Sequence, residues 1–149
     1  VNKMILLVED NPDDEALTLR AIRKEMPHDV EVVRDGAEAL EFLFGTGRYR
    51  QRDLSVPPLL VLLDLKLPKV NGLEVLRQVR EDARTRPIPV IVFTSSTEEQ
   101  DILDSYRLGA NSYIRKPVDY GQFCKDMKQV MGYWLGVNQL PPHRTAATA

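Results

Sequence analysis

Four strand-like runs of this chain end in polar groups that could do chemistry. Met4-Ile5-Leu6-Leu7-Val8 ends in Glu9 and Asp10, and Leu59-Leu60-Val61-Leu62-Leu63 ends in Asp64. Val90-Ile91-Val92-Phe93 ends in Thr94, and Asn111-Ser112-Tyr113-Ile114-Arg115 ends in Lys116. Open α/β sheets bind their ligands outside the carboxyl ends of the strands. Acids, a hydroxyl and a cation gathered on one such rim would form a binding or reaction site. Singly, each has a plainer reading. Glu9 and Asp10 would favour the positive end of the next helix, Thr94 would be a turn hydroxyl, and Lys116 a surface cation. Asp64 is the sharpest case, because a carboxylate cannot continue an apolar run inside a core without a partner.

The elements that must position these groups alternate strand and helix five times. The run before Asp64 is short, aliphatic and bounded by Pro57-Pro58 and Pro68, as expected of a strand buried on both faces. Asn11 caps a helix starting at Pro12, with Ala16, Leu19, Ile22 and Met26 inward and Pro27 as its stop. Val30 to Val33 carries a polar residue and reads as an edge strand. Asp35-Gly36 is a turn, and Ala37, Leu40 and Phe44 mark a short helix closed by Gly45-Thr46-Gly47. A polar loop with Arg48, Arg50 and Arg52 runs to Pro58, and it is read as a solvated insertion, with a partner-contact loop as the alternative.

A helix with Leu73, Leu76 and Val79 inward follows the Asp64 loop. Thr97 and Gln100 form a capping box for the next helix. That helix puts Leu103 and Ala110 inward and Ile102 and Tyr106 on a second face. The last helix carries Phe123, Met127, Val130 or Met131, and Trp134. Residues 1–135 are read as one domain and residues 136–149 as an extended or disordered tail. Such alternation specifies an α/β fold with a mainly parallel sheet, but periodicity does not fix strand order.

Composition excludes several classes. The chain has 149 residues, a formal net charge of −2 and one cysteine, Cys124. A single cysteine excludes an internal disulfide and a cysteine-based metal cluster, and it suits a reducing cytoplasm. No global basic signal points to nucleic acid, and no apolar run is long enough for a membrane. Gly45-Thr46-Gly47-Arg48 lacks the Lys-Ser/Thr ending of a phosphate-cradling loop and follows a helix. His28 and His143 sit beside prolines and read as exposed. No Ser/His/Asp order or Cys/His spacing supports another chemistry.

Over Met4 to about Trp134 the chain resembles the receiver domain of two-component response regulators. The residues that carry this are Glu9-Asp10, Asp64, the Asp64-x-x-Leu67-Pro68-x-x-x-Gly72 loop, Thr94, Leu108-Gly109-Ala110 and Lys116-Pro117. The resemblance implies a flavodoxin-like (βα)5 doubly wound parallel sheet of strand order 2-1-3-4-5. Strands one and three then become neighbours, about 4.8 Å apart, with Asp10 and Asp64 facing each other. Like charges at 4 Å repel by about 4 kcal/mol at an effective dielectric of about 20, and a hard Mg²⁺ ion relieves this. By resemblance the ligands are Asp10, Asp64 and the main-chain carbonyl of Lys66, with Glu9 acting through water. Asp64 is then the phosphoacceptor, with Lys116 and Thr94 contacting the phosphoryl group. Arg115 alternates to the opposite face.

Tyr113 stands where the family has its switch aromatic, which implies that Thr94 and Tyr113 move together. Ile102, Tyr106 and Tyr113 then mark a contact face made of the fourth helix, fifth strand and fifth helix. Nothing after the receiver reads as a DNA-binding unit, so the expectation is a single-domain regulator acting through partners. Phe42-Leu43-Phe44-Gly45-Thr46-Gly47-x-Tyr49 and Tyr133-Trp134-Leu135-Gly136 resemble regulators paired with bacterial and cyanobacterial phytochromes. That implies a sensor histidine kinase as partner and a homodimer through the contact face. The competing classes are a phosphorylation-independent interaction module, a flavodoxin-type cofactor carrier and an aspartyl-phosphate phosphatase. The intact acids, Thr94 and Lys116 argue against the first. Glu9-Asp10-Asn11-Pro12 would repel a cofactor phosphate, and the phosphatase Asp-x-Asp is absent.

Overall fold

Alternate residues of the central strands feed two separate apolar layers, one on each face of a parallel sheet. A computed structural model describes residues 4–25 and 29–142. The strands are β1 (Met4–Val8), β2 (Asp29–Val33), β3 (Val61–Leu63), β4 (Val90–Thr94) and β5 (Ser112–Arg115). Between and after them run α1 (Pro12–Glu25), α2 (Gly36–Phe44), α3 (Gly72–Glu81), α4 (Glu99–Arg107) and α5 (Tyr120–Gly132). The sheet order is β2-β1-β3-β4-β5, all pairs parallel. This is the flavodoxin-like arrangement, and β2 lies at an edge as its polar residue suggested.

Leu6, Val8, Val61, Leu63, Val90 and Val92 pack toward α2 and α3 through Ala39, Leu43, Val75, Leu76 and Val79. Ile5, Leu7, Leu62, Ile91 and Phe93 pack toward α1 and α5 through Ile22, Phe123, Met127 and Met131. With both faces covered, a strand must be apolar at every position. That explains why β1, β3 and β4 read as unbroken aliphatic runs.

Asn11 caps α1 as expected, its Oδ1 accepting from the amides of Asp13 and Asp14 at 2.9 and 3.0 Å. Met26, Pro27, His28 and His143 lie outside the described residues, as do residues 144–149 of the tail.

Four local expectations are corrected. Asp35-Gly36 is not a free turn, because Asp35 caps α2 by accepting from Glu38 N, and Gly36 is its first residue. A Cβ on Gly36 would come within 1.7 Å of the Val70 carbonyl oxygen, so only glycine fits. The buried residues of α2 are Gly36, Ala39, Phe42 and Leu43, one position off the stripe read from Ala37, Leu40 and Phe44. Thr97 does not cap α4. Glu98 occupies that position, and Ser96 Oγ accepts from Glu98 N and donates to Asp101 Oδ2 at 2.5 Å. Finally, Leu103 faces outward, 47% exposed, while Ser105 is the buried residue of α4. Its hydroxyl donates to the Asp101 carbonyl, which satisfies the buried polar atom.

The helical path continues past α5 as a π-helical turn, Tyr133–Val137, two residues beyond the boundary read at 135. The segment after Gly45 is partly ordered. It holds a 3-10 turn, Gly47–Tyr49, and the Arg52 guanidinium stacks 4.3 Å from the Phe42 ring centre.

Candidate functional site

The β1–β3 register sets the site. Val8 pairs with Leu63, so the next residues, Glu9 and Asp64, stand opposite each other on the rim. Asp64 N donates to the Val8 carbonyl at 3.1 Å, and Glu9 N donates to Val33 O at 3.0 Å. Asp10 is therefore one step further out than its expected place facing Asp64, and it is exposed. Glu9 is 1% exposed and Asp64 6%. Even so, Glu9, Asp10 and Asp64 each offer a carboxylate oxygen, and the three lie within 4.8 Å of one another.

Lys116 reaches this cluster from the end of β5. Its backbone is fixed by an amide donating to the Thr94 carbonyl at 2.8 Å. Its ammonium sits 2.6 Å from Glu9 Oε1, 2.9 Å from Asp64 Oδ2 and 2.9 Å from Asp14 Oδ2. An unpaired buried carboxylate would be untenable at this depth, and the ammonium is what makes the pair tolerable. Burial pushes the Glu9 carboxyl up to about 7; Lys116 pulls it down and the Asp64 charge adds to the rise. Burial also works against the Lys116 charge, but the Glu9 hydrogen bond and the Asp64 and Glu9 charges outweigh it. The amine is held above its ordinary range.

The loop after β3 completes the rim. Lys66 N donates to Asp64 Oδ1 at 3.2 Å, which fixes the carboxylate rotamer, while the Lys66 side chain is exposed. Gly72, at the start of α3, donates its amide to Leu65 O at 2.9 Å. A Cβ there would lie 2.3 Å from the Asp64 carbonyl oxygen, so the glycine lets the helix close over the acid's own backbone. Thr94 is fully buried, and its Oγ1 accepts from Ser96 N at 3.4 Å. Ser95 is exposed beside it. Arg115 is exposed.

Tyr113 is half-buried against the α2–α3 layer. Its hydroxyl donates to the Ser96 carbonyl at 3.3 Å, which ties β5 to the segment that follows Thr94. Burial raises its phenol above the ordinary value. Ile102 is half-buried and Tyr106 is 51% exposed on α4.

Asp14 is the site residue that sequence reasoning missed. It stands among the first-turn acids Asp13, Asp14 and Glu15, all of which suit a helix N-terminus. Only the rotation of α1 about its axis selects Asp14 to meet Lys116, and no spacing rule gives that rotation.

The donor set fits a hard divalent cation. All three side chains offer carboxylate oxygens, and Mg²⁺ favours one or two carboxylates with waters and a phosphate oxygen. Asp10 and Asp64 would hold it directly, with Glu9 close enough to act through a bound water. The Lys66 carbonyl accepts no hydrogen bond from the described residues and so stays available on the same rim.

Comparisons with known proteins agree with this geometry. The family model described as the response regulator receiver domain matches residues 5–128. The chain belongs to the response regulator receiver family. FilR2 of Methanothrix harundinacea, a probable methanogenesis regulatory protein, is 40% identical over 93% of this chain and 87% of its own. The response regulator Rcp1 of Synechocystis is 36% identical over 93% of each chain. Its solved manganese-bound form superposes with a TM-score of 0.88 at 35% identity, covering 94% of this chain and 99% of Rcp1. The phosphorylated cyanobacterial phytochrome response regulator RcpA gives a TM-score of 0.89 at 40% identity, over 95% of this chain and all of RcpA.

The receiver is thus a phosphoryl-accepting signalling module of a two-component system, and its acidic cluster fits a divalent cation. No helix among the described residues is long and apolar enough to cross a membrane.

Proposed function

We propose that Asp64 accepts a phosphoryl group from a sensor histidine kinase, with a phytochrome as the kinase class. The observation that carries this reading is the Lys116 ammonium held 2.9 Å from Asp64 at a buried rim that also gathers Glu9 and Asp10. An Asp64 carboxylate oxygen forms the new P–O bond while the P–N bond of the donor phosphohistidine breaks. The bonding pair leaves with the imidazole nitrogen. Such transfer depends on positioning and charge neutralisation. Asp10, Asp64 and the Lys66 carbonyl would hold Mg²⁺, with Glu9 acting through water, and the bound ion would neutralise charge on the phosphoryl oxygens. Lys116 supplies cationic donors from the opposite side, and Thr94 offers its hydroxyl. Lys66 N donates to one Asp64 oxygen and the Lys116 ammonium to the other, so the carboxylate is held at both ends for the attack. The only reactions the chain promotes are this transfer to itself and loss of its own acyl phosphate.

The output is association, by a homodimer through α4, β5 and α5. Leu103 and Tyr106 expose apolar surface on α4, and Tyr113 links that region to Thr94 through Ser96. A phosphoryl group drawing the Thr94 hydroxyl inward would make room for Tyr113 to rotate. Residues 1–135 form the receiver in this reading, and the cytoplasm is its location. The phytochrome assignment is supported by the likeness to Rcp1 and RcpA.

Phosphotransfer from a purified autophosphorylated phytochrome kinase tests the reading. The label moves to the wild-type chain within minutes and does not move to Asp64→Asn. Equal labelling of the variant would contradict it. No transfer, with labelling intact from a small acyl phosphate, would overturn only the choice of kinase.

A further inference from the structure

We propose that Asp14 is a positioning residue for Lys116, holding one ammonium donor in the unphosphorylated protein and releasing it when Asp64 is phosphorylated. The inference rests on Asp64 being the phosphoacceptor. An ammonium has three N–H donors. Here Glu9, Asp64 and Asp14 are its three carboxylate neighbours, at 2.6, 2.9 and 2.9 Å. Asp64 and Asp14 accept hydrogen bonds from the ammonium and Glu9 pairs with it at 2.6 Å, so Lys116 meets a carboxylate on three sides. A phosphoryl group on Asp64 brings new acceptor oxygens and more negative charge, so one of these contacts gives way.

Exposure decides which. The side chains of Glu9 and Asp64 are 2% and 7% exposed, and that of Asp14 is 26% exposed. A buried carboxylate left without its donor keeps its desolvation cost, whereas water can replace the donor at Asp14. The Asp14 backbone does not need to move, because Asn11 Oδ1 holds its amide at 3.0 Å. What changes is the side chain and the charge it carries.

Two opposite effects follow from Asp14→Asn. One fewer anion faces the incoming group and one N–H is free for it, so phosphoryl binding tightens. Lys116 meanwhile settles more firmly on Asp64, a cation ligand, and on Glu9, which reaches the cation through water, so Mg²⁺ binding weakens. Asp13 is the matched control. It shares the first turn of α1, is exposed, and takes no part in the Lys116 cluster.

The test measures Mg²⁺ affinity, and beryllofluoride affinity at saturating Mg²⁺, by calorimetry on the full chain. Asp14→Asn is expected to bind beryllofluoride about fivefold more tightly and Mg²⁺ about fivefold more weakly, the scale of a part-exposed ion pair. Asp13→Asn moves neither by as much as twofold. If Asp14→Asn matches Asp13→Asn, or if both affinities move in one direction, the inference falls. Asp14→Ser gives the same readout should the Asn variant not fold. If Asp64→Asn binds beryllofluoride as well as wild type does, the phosphoacceptor reading falls and takes the inference with it.

Discussion

The Lys116 ammonium lies 2.9 Å from Asp64 Oδ2, although 52 residues and the whole of β4 separate the two in the chain. Only a long cationic side chain spans two strand spacings of about 4.8 Å each. The contact makes Lys116 the counter-charge of a buried acid cluster before any phosphoryl group or cation arrives.

Lys116→Met should therefore destabilise the metal-free protein by about 3–5 kcal/mol, the cost of removing one partner of a buried ion pair. Urea unfolding in a chelator measures it. Millimolar Mg²⁺ should restore part of the loss, because it supplies positive charge to the same carboxylates. Without a loss in chelator, Lys116 would not be the counter-charge.

Glu9 gives a pH dependence whose sign can be worked out. Its carboxyl is raised to about 7 in the folded protein, above its ordinary value of 4.5. Between these two values the folded state holds a proton that the unfolded state has lost. The Glu9 contribution to stability thus falls as pH rises from about 4.5 to 7 and is level above that. Unfolding of wild type against Glu9→Gln, in chelator across this range, isolates the slope. Metal binding runs the other way, since a protonated carboxyl is a poor ligand. Mg²⁺ should bind about tenfold more weakly at pH 6 than at pH 8, with Glu9→Gln flattening the profile.

Gly72→Ala would place a Cβ 2.3 Å from the Asp64 carbonyl oxygen and 2.6 Å from Leu65 Cα. Backbone atoms cannot yield as a flexible side chain can. A loss of about 1–3 kcal/mol is expected, together with slower phosphorylation by an acyl-phosphate donor. Unfolding and labelling on the same preparation would show both.

The α4 surface separates packing from association. Leu103 is 47% exposed, so Leu103→Glu should change stability by less than about 0.5 kcal/mol. It should nevertheless abolish phosphorylation-dependent dimerisation measured by analytical ultracentrifugation. Tyr113→Ala should abolish the dependence on phosphorylation, and association unchanged by either substitution would remove the proposed face.

Much of this architecture was legible because parallel strands covered on both faces must be aliphatic throughout. β1, β3 and β4 announced themselves, and the polar residues ending them marked the rim. Strand order was not legible from periodicity and came from the resemblance. Element α4 was misread because it buries only Ser105 fully, so its apolar residues do not mark the inward face. The cap was misassigned because Glu98, whose side chain makes no capping bond, stands at the cap position, and only the path of the chain after Thr94 brings the Ser96 hydroxyl to its amide. The register, placing Glu9 rather than Asp10 opposite Asp64, and the rotation of α1 that brings Asp14 to Lys116 are tertiary facts.

The most direct test of the central claim is incubation with Mg²⁺ and a small acyl-phosphate donor, followed by intact-mass and peptide analysis. The account predicts one base-labile phosphoryl group, located on Asp64, absent without Mg²⁺ and absent from Asp64→Asn. A phosphoryl group on another residue, or equal labelling of Asp64→Asn, would contradict it.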